Sequence, residues 1–363
     1  MIDTHVHLRD WSQKQKETIK HGLYIAWKSG LDAVFEMPNT SPALTSTKTI
    51  VERLEMADKA VEEHKQKNPG FDIYHGLYAG ITISPKQILE VIDLYKGLFP
   101  HVVGLKMFAG ESTGDMGIIN EIDQLAVYMN IARFNYDGVL FVHCEKEACM
   151  KKELWDPSSP YTHTLARPPE AEVESVRDQI RFAEEAGFKG TLHIAHISVP
   201  EALEAIEQAR KSVRYKITCG LTPHHAMLYA EMMKKDNGLL LKMNPPLRPR
   251  EMQEYMLQAL IKGRINWIES DHAPHTLEDK LDKEKPKPHA SGVPVLPYWP
   301  YFIGFLRKHM SWEQIHRITH GNIIKEFGLQ IPDSRRIEKI VEKGFEDLSG
   351  EYEFDAFKDV KAA

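Results

Sequence analysis

At 363 residues, 42% hydrophobic and 27% charged, the chain has the make-up of an ordinary globular protein and suits one large α/β domain. Its formal net charge of −6 argues against a nucleic-acid or anionic-membrane partner. No apolar run reaches bilayer-spanning length, no basic and apolar leader opens the chain, and three cysteines (Cys144, Cys149, Cys219) form no disulfide framework, so a reducing, cytoplasmic location is expected.

The first ten residues carry the period-2 alternation of a strand: Ile2, Thr4, Val6 and Leu8 interleave with Asp3, His5, His7 and Arg9. Residues two apart in a strand share a face, so the rings of His5 and His7 can meet one metal ion. A helix over 12–29 follows, with Ser12 as cap and Gly30 as stop. A buried strand over 33–36 ends in the loop Met37-Pro38-Asn39-Thr40, and a helix over 47–67 stops at Asn68-Pro69-Gly70. Further strands are expected over 73–79, 102–108, 138–143, 189–196, 215–221 and 264–270. The helices between them are expected over 85–98, 118–134, 169–186 and 200–211. Eight strands alternating with helices, and reading as near-continuous apolar runs, predict a closed (β/α)8 TIM-type barrel of the α/β class. The run 280–288 reads as a solvated loop, and residues 328–363 as a C-terminal extension of unassigned role behind a catalytic barrel over 1–327.

Barrel enzymes carry their chemistry at the C-terminal ends of the strands. Those ends here hold His5 and His7 (first strand), Lys106 (fourth), His143 (fifth), His196 (sixth) and Asp271 (eighth). Singly, each has a plain structural reading: a satisfied core histidine, a lysine reaching out of the barrel, an aspartate capping a turn. Jointly, four histidines and an acid on one rim are zinc-ligand types, and a lysine inside an apolar strand is costly unless paired.

With these residues in view, the chain resembles the amidohydrolase superfamily of the binuclear, carboxylated-lysine type, and within it the dihydroorotases. The matching stretches are His-Val-His-Leu-Arg (5–9), Met-Pro-Asn-Thr (37–40), Gly-Leu-Lys-Met-Phe (104–108) and Val-His-Cys-Glu (142–145). They continue with His-Ile-Ala-His (193–196), Thr-Pro-His-His (222–225), Asn-Pro-Pro-Leu-Arg (244–248) and Ser-Asp-His-Ala-Pro-His-Thr (270–276). The resemblance runs from the first residue to about Phe327, and its ligand pattern is shared with allantoinases and dihydropyrimidinases.

The resemblance implies two zinc ions and a CO2-derived carbamate on Lys106 that bridges them. His5, His7 and Asp271 would complete one ion, His143 and His196 the other. Water activated by the metals would attack the ring amide carbonyl of dihydroorotate, with Asp271 carrying the proton to the departing nitrogen. The reverse reaction cyclises N-carbamoyl-L-aspartate in pyrimidine biosynthesis. Arg9, Asn39 and His275 would hold the substrate carboxylate, Asn244 and Gly292 the ring, and Ser112 and Thr113 would lie on a loop over the substrate (110–117). His193, His224, His225 and His272 read as structural partners of the site.

Three departures shape the expectations. The chain opens on the first barrel strand, so the family's small β-domain is expected to be absent. The segment Gly292-Val-Pro-Val-Leu-Pro replaces the family's Gly-rich loop, and Ala195 and Gly220 stand where animal relatives carry extra metal-binding side chains, so a third zinc is not expected. The competing readings are another cyclic amide hydrolase, allantoinase- or dihydropyrimidinase-like, and a non-catalytic barrel in a pyrimidine-synthesis complex. The partner expected is a small-molecule substrate, with neither nucleic acid nor membrane, and the family resemblance leaves a homodimer open.

Overall fold

The computed structural model describes residues 1–111, 116–285 and 288–361. Its sheet runs β1 (Ile2–Val6), β2 (Ala33–Glu36), β3 (Tyr74–Gly80), β4 (Val102–Ala109), β5 (Val139–Cys144), β6 (Thr191–Ile194), β7 (Lys216–Leu221) and β8 (Trp267–Ile268). Each of these strands pairs in parallel with the one before it. Between β8 and β1 a single bridge, Val6 to His272, takes the place of a ladder, and the His7 amide donates to the His272 carbonyl at 2.8 Å. The result is a nearly closed (β/α)8 barrel, as the strand count predicts.

The sheet is covered by α1 (Ile19–Lys28), α2 (Thr47–Lys67), α3 (Pro85–Leu98), α4 (Glu121–Arg133), α5 (Pro169–Glu185), α6 (Pro200–Ala209) and α7 (Arg250–Ile261). Apolar side chains fill two layers. Phe35, Tyr78, Val103, Phe141 and Trp267 form an inner cluster that Ile323 and Phe327 also enter. The larger cluster lies between strands and helices and includes Leu23, Val91, Ile131 and Phe182. Truncating a fully buried ring such as Phe141 to Ala would cost about 3–5 kcal/mol, because the tightly packed layer cannot collapse into the space.

Element boundaries differ from the sequence expectation where side chains redirect the backbone. The helix expected over 12–29 starts at Ile19, because Arg9, Asp10 and Trp11 all adopt positive φ (47°, 71° and 45°) and the cap is Thr18, not Ser12. The helix expected from 118 starts at Glu121 under an Asn120 cap, while Gly117–Ile118 adds a two-residue strand to β4. The strand expected over 264–270 shrinks to Trp267–Ile268. Helix α7 and the helix Trp299–Arg307 had no sequence assignment.

Lys280 corrects the reading of 280–288 as a solvated loop. It closes the short helix Leu277–Leu281 and is fully buried, donating to the carbonyls of Lys242, Ala290 and Gly292 at 2.8, 3.0 and 2.9 Å. Residues beyond 327 also pack on the barrel. Ile337 and Phe357 are buried in the outer cluster, Phe357 stacks on Tyr298 at 3.9 Å, and Tyr352 donates to Glu17 at 2.5 Å. Among the described residues no helix is long and apolar enough to cross a membrane.

Candidate metal centre

The register between β1 and β2 shifts between Asp3 and Val6, and the rings of His5 and His7 lie 5.3 Å apart. Their Nε2 atoms stand 3.2 and 3.0 Å from the same oxygen, Asp271 Oδ1, with all three residues buried. Ligands about 2.0–2.2 Å from a tetrahedral ion sit roughly 3–3.5 Å from one another, so the spacing suits a zinc-sized cation. His7 Nδ1 is 2.7 Å from Asn39 Oδ1, an acceptor that assigns the ring proton to Nδ1 and leaves Nε2 bare for a metal.

Across the barrel mouth, His143 Nδ1 and His196 Nε2 face each other at 3.0 Å. His143 Nε2 lies 3.1 Å from Glu145, whose carboxylate accepts two bonds from Arg167 at 3.0 and 2.6 Å. Burial opposes the Glu145 charge, but Arg167 and His143 hold its pKa far below the usual carboxylate range. The arrangement is a carboxylate orienting an imidazole, with Nδ1 turned to the centre. Burial pushes down the pKa of all four imidazoles, furthest for His5 and His196, so each is held in the neutral form that binds metals.

Lys106 is fully buried in β4, and its Nζ has no hydrogen-bond partner among the described residues. It lies 4.8 Å from the ring centres of both Phe108 and Phe141 and opens on the same cleft as the four histidines and Asp271. Burial lowers its pKa to about 8. A buried, unpartnered lysine amine beside a cluster of bare donor atoms is unsatisfied polar chemistry, which carboxylation of the amine would turn into an anion able to face divalent ions. Among the described residues, His5, His7 and Asp271 have the donor types and spacing to hold one divalent ion.

These groups floor a cleft whose walls include Arg9, Asn39, Phe108, Asn244, Ser291 and Gly292. Arg9 is buried, and loss of hydration lowers its pKa to about 10. Its Nε donates to Pro274 O at 3.3 Å, and Nη2 lies 3.3 Å from His275 Nε2. His275 stands behind Arg9 instead of lining the cleft, with Nε2 3.1 Å from Ser291 O and Nδ1 3.3 Å from Lys16 Nζ. Ser291 donates to Asn244 Oδ1 at 3.2 Å, which fixes that wall. Gly292 has a φ of +133°, and a Cβ there would lie 2.7 Å from Ala273 O, so the close approach needs glycine.

Among the remaining histidines, His193 bonds Thr218 and Glu269 (both 2.9 Å), and His225 bonds Thr222 (2.8 Å) and Pro245 O (3.1 Å). His272 accepts from the Val295 amide at 2.9 Å and meets Glu17 at 3.2 Å. His224 is buried with neither ring nitrogen hydrogen-bonded to a described residue. Ser112 and Thr113 lie outside the described residues. Sequence reasoning missed Glu145 and Glu269. Both are visible in hindsight as charged residues inside otherwise apolar strand ends, the same signal that singled out Lys106.

No family model matches the chain. A dihydroorotase of Halobacterium salinarum is 31% identical over 336 residues, an overlap covering 91% of this chain and 72% of that one. A dihydroorotase of Methanothermobacter thermautotrophicus is 34% identical, over 77% of this chain and 58% of its own length. Among solved structures, the L-hydantoinase of Arthrobacter aurescens superposes with a TM-score of 0.76 at 22% identity, over 92% of this chain and 73% of that one. The dihydroorotase of Saccharomyces cerevisiae, in complex with 5-fluoroorotic acid, gives 0.70 at 16% identity, over 91% and 84%. These structural likenesses show the shared fold.

Proposed function

The chain belongs to the dihydroorotase family, metal-dependent hydrolases of cyclic amides, and we propose that it interconverts L-dihydroorotate and N-carbamoyl-L-aspartate in pyrimidine biosynthesis. The observation that carries this reading is the placing of a buried guanidinium, Arg9, on the wall of the cleft floored by His5, His7, Lys106, His143, His196 and Asp271. A carboxylate-bearing cyclic amide matches that pair of features, an anion site beside a hydrolytic centre.

His5, His7 and Asp271 would hold one zinc ion, His143 and His196 a second, and Lys106, carboxylated by CO2, would bridge them. Bound there, the pair supplies a Lewis acid for the amide carbonyl and lowers the pKa of the attacking water. Arg9 grips the substrate carboxylate by a bidentate, charge-assisted contact and sets the ring across the centre. His275 supports Arg9 from behind, Asn39 orients His7 at the edge of the same anion pocket, and Asn244 with Gly292 walls in the ring. Asp271 takes the proton of the attacking water and returns it to the ring nitrogen as the C–N bond breaks. The reverse direction closes the ring with release of water.

The test is an absorbance assay of dihydroorotate hydrolysis on zinc- and bicarbonate-supplied protein, alongside elemental analysis. Turnover with close to two zinc equivalents is expected. Lys106→Ala should lose zinc and turnover together, with partial return in short carboxylic acids. Zinc-loaded wild type that leaves dihydroorotate untouched would refute the reading.

A further inference from the structure

We infer that Glu269 is a positioning residue that braces both halves of the metal centre at once, and that Gly220 is glycine in order to admit it. The inference rests on the reading of His5 and His196 as metal ligands.

Glu269 directly follows β8, is fully buried and, among the described residues, is held by no lysine or arginine bond. One oxygen, Oε2, accepts from His193 Nε2 at 2.9 Å and Trp267 Nε1 at 3.2 Å. His193 and Trp267 stack on each other at 4.2 Å with planes 9° apart, so both donors are fixed. The other oxygen, Oε1, accepts the backbone N–H of His196 at 2.5 Å. His196 has a φ of +35°, a left-handed conformation unfavourable to a non-glycine residue, and this bond fastens the turn that aims its ring at His143.

The same Oε1 lies 3.7 Å from His5 Nδ1, which has no hydrogen-bond partner among the described residues. His5 points Nε2 at Asp271. A neutral imidazole that gives Nε2 to a metal must carry its proton on Nδ1, and metal-bound imidazoles as a rule donate that proton to a carboxylate or carbonyl. Glu269 is the carboxylate facing it. One side chain therefore fastens His196 through the backbone and faces the His5 ring from 3.7 Å, where a small shift would let it accept the Nδ1 proton once a metal takes Nε2, and it brings a negative charge toward a centre that gathers positive charge when metals bind.

Room for this carboxylate comes from the neighbouring strand. A Cβ on Gly220 would fall 2.3 Å from Glu269 Cδ and Oε2, closer than atoms can pack. With three N–H groups bonded to its two oxygens and His5 Nδ1 facing one of them, Glu269 acts as a brace and not as a ligand to a further ion.

The experiment measures zinc affinity by competition with a chromophoric chelator, on wild type, Glu269→Gln and Gly220→Ala, together with the thermal midpoint of each metal-free protein. Gln keeps the shape and removes the charge; Ala at 220 displaces the carboxylate without altering it. Both variants are expected to bind zinc about ten- to a hundredfold more weakly, and Glu269→Gln, which sets an amide donor against one of these N–H groups, to lower the metal-free midpoint as well. Wild-type zinc affinity in both variants would overturn the inference while leaving the metal centre intact. Weakening in only one of them, or a third zinc equivalent in wild type that Glu269→Gln removes, would overturn it too. Failure of wild type itself to bind zinc would instead refute the metal centre. If Glu269→Gln does not fold, Gly220→Ala alone decides by the same affinity readout.

Discussion

His7 and Asn39 are joined by a 2.7 Å hydrogen bond between Nδ1 and the amide oxygen, which leaves His7 Nε2 facing Asp271 at 3.0 Å. Asn39 comes from the loop after β2, and its motif alone suggested a contact to substrate. The bond gives it a second task, because it sets which nitrogen of His7 can take a metal. Asn39→Leu should therefore weaken zinc binding about ten- to a hundredfold in the absence of any substrate, measured by chelator competition. A variant with raised KM and unchanged zinc affinity would restrict Asn39 to the substrate.

If Arg9 holds the substrate carboxylate as proposed, it would separate a dihydroorotase from hydantoinase-like and dihydropyrimidinase-like enzymes. Dihydroorotate and dihydrouracil share the ring amide, and only the former bears a carboxylate. Leaving a buried guanidinium without its anion costs on the order of 3–5 kcal/mol. At about 1.4 kcal/mol per tenfold, kcat/KM should favour dihydroorotate at least about a hundredfold. Arg9→Met should erase most of that preference through loss of dihydroorotate turnover, with zinc content unchanged. Equal wild-type values for the two compounds would point to a dihydropyrimidinase-like enzyme.

Lys280 ties the segment before Asn244 to the segment that holds Ser291 and Gly292, through three carbonyls and no carboxylate. Lys280→Met takes the Lys280 donor from the Ala290 and Gly292 carbonyls in a buried site, while Lys242 O keeps the Gly292 amide at 2.9 Å. Unsatisfied buried groups cost about 1–3 kcal/mol each, so a total loss of roughly 2–5 kcal/mol is expected by denaturant unfolding of the metal-loaded protein. Because the tied segments wall the cleft, KM for dihydroorotate should rise more than kcat falls. An unchanged denaturation midpoint would show that the ammonium is not needed to hold the wall.

His316 is placed to make stability depend on pH. Its Nδ1 is 2.7 Å from Asp333 and its Nε2 2.7 Å from Glu338, itself 3.6 Å from Arg335. The Asp333 bond raises its pKa, with Glu338 adding to it against the opposing effect of burial. A histidine whose folded pKa exceeds its unfolded value of about 6.5 adds stability that is full below that value and disappears as pH rises through the folded pKa. Asp333, shifted downward by His316 against burial, adds stability that is present above its unfolded value and is lost as pH falls. The contact should contribute most between about pH 4 and 6.5. His316→Gln should thus cost more stability at about pH 5.5 than at about pH 8.5, read from paired denaturation curves. An equal cost at both values would show that the histidine is neutral in the fold.

The alternating and apolar strand runs determined the barrel, because a strand buried on both faces must be written in apolar residues wherever it occurs. The chemistry was legible for the same reason. His5, His7, Lys106, His143, His196 and Asp271 interrupt those runs at one end, and the cost of burying polar groups makes such interruptions conspicuous. What the sequence did not determine is how those groups are aimed. That depends on contacts between residues far apart in the chain: Asn39 on His7, Glu145 on His143, Glu269 on His196 and His5. It also depends on backbone angles that no local pattern announces. Arg9, His196 and Asp271 all have positive φ, values that ordinary residues avoid and that only the surrounding structure can hold. Lys280 shows the same division: the charges around it imply a solvated loop, yet only the tertiary structure supplies the three carbonyls that make its burial tolerable.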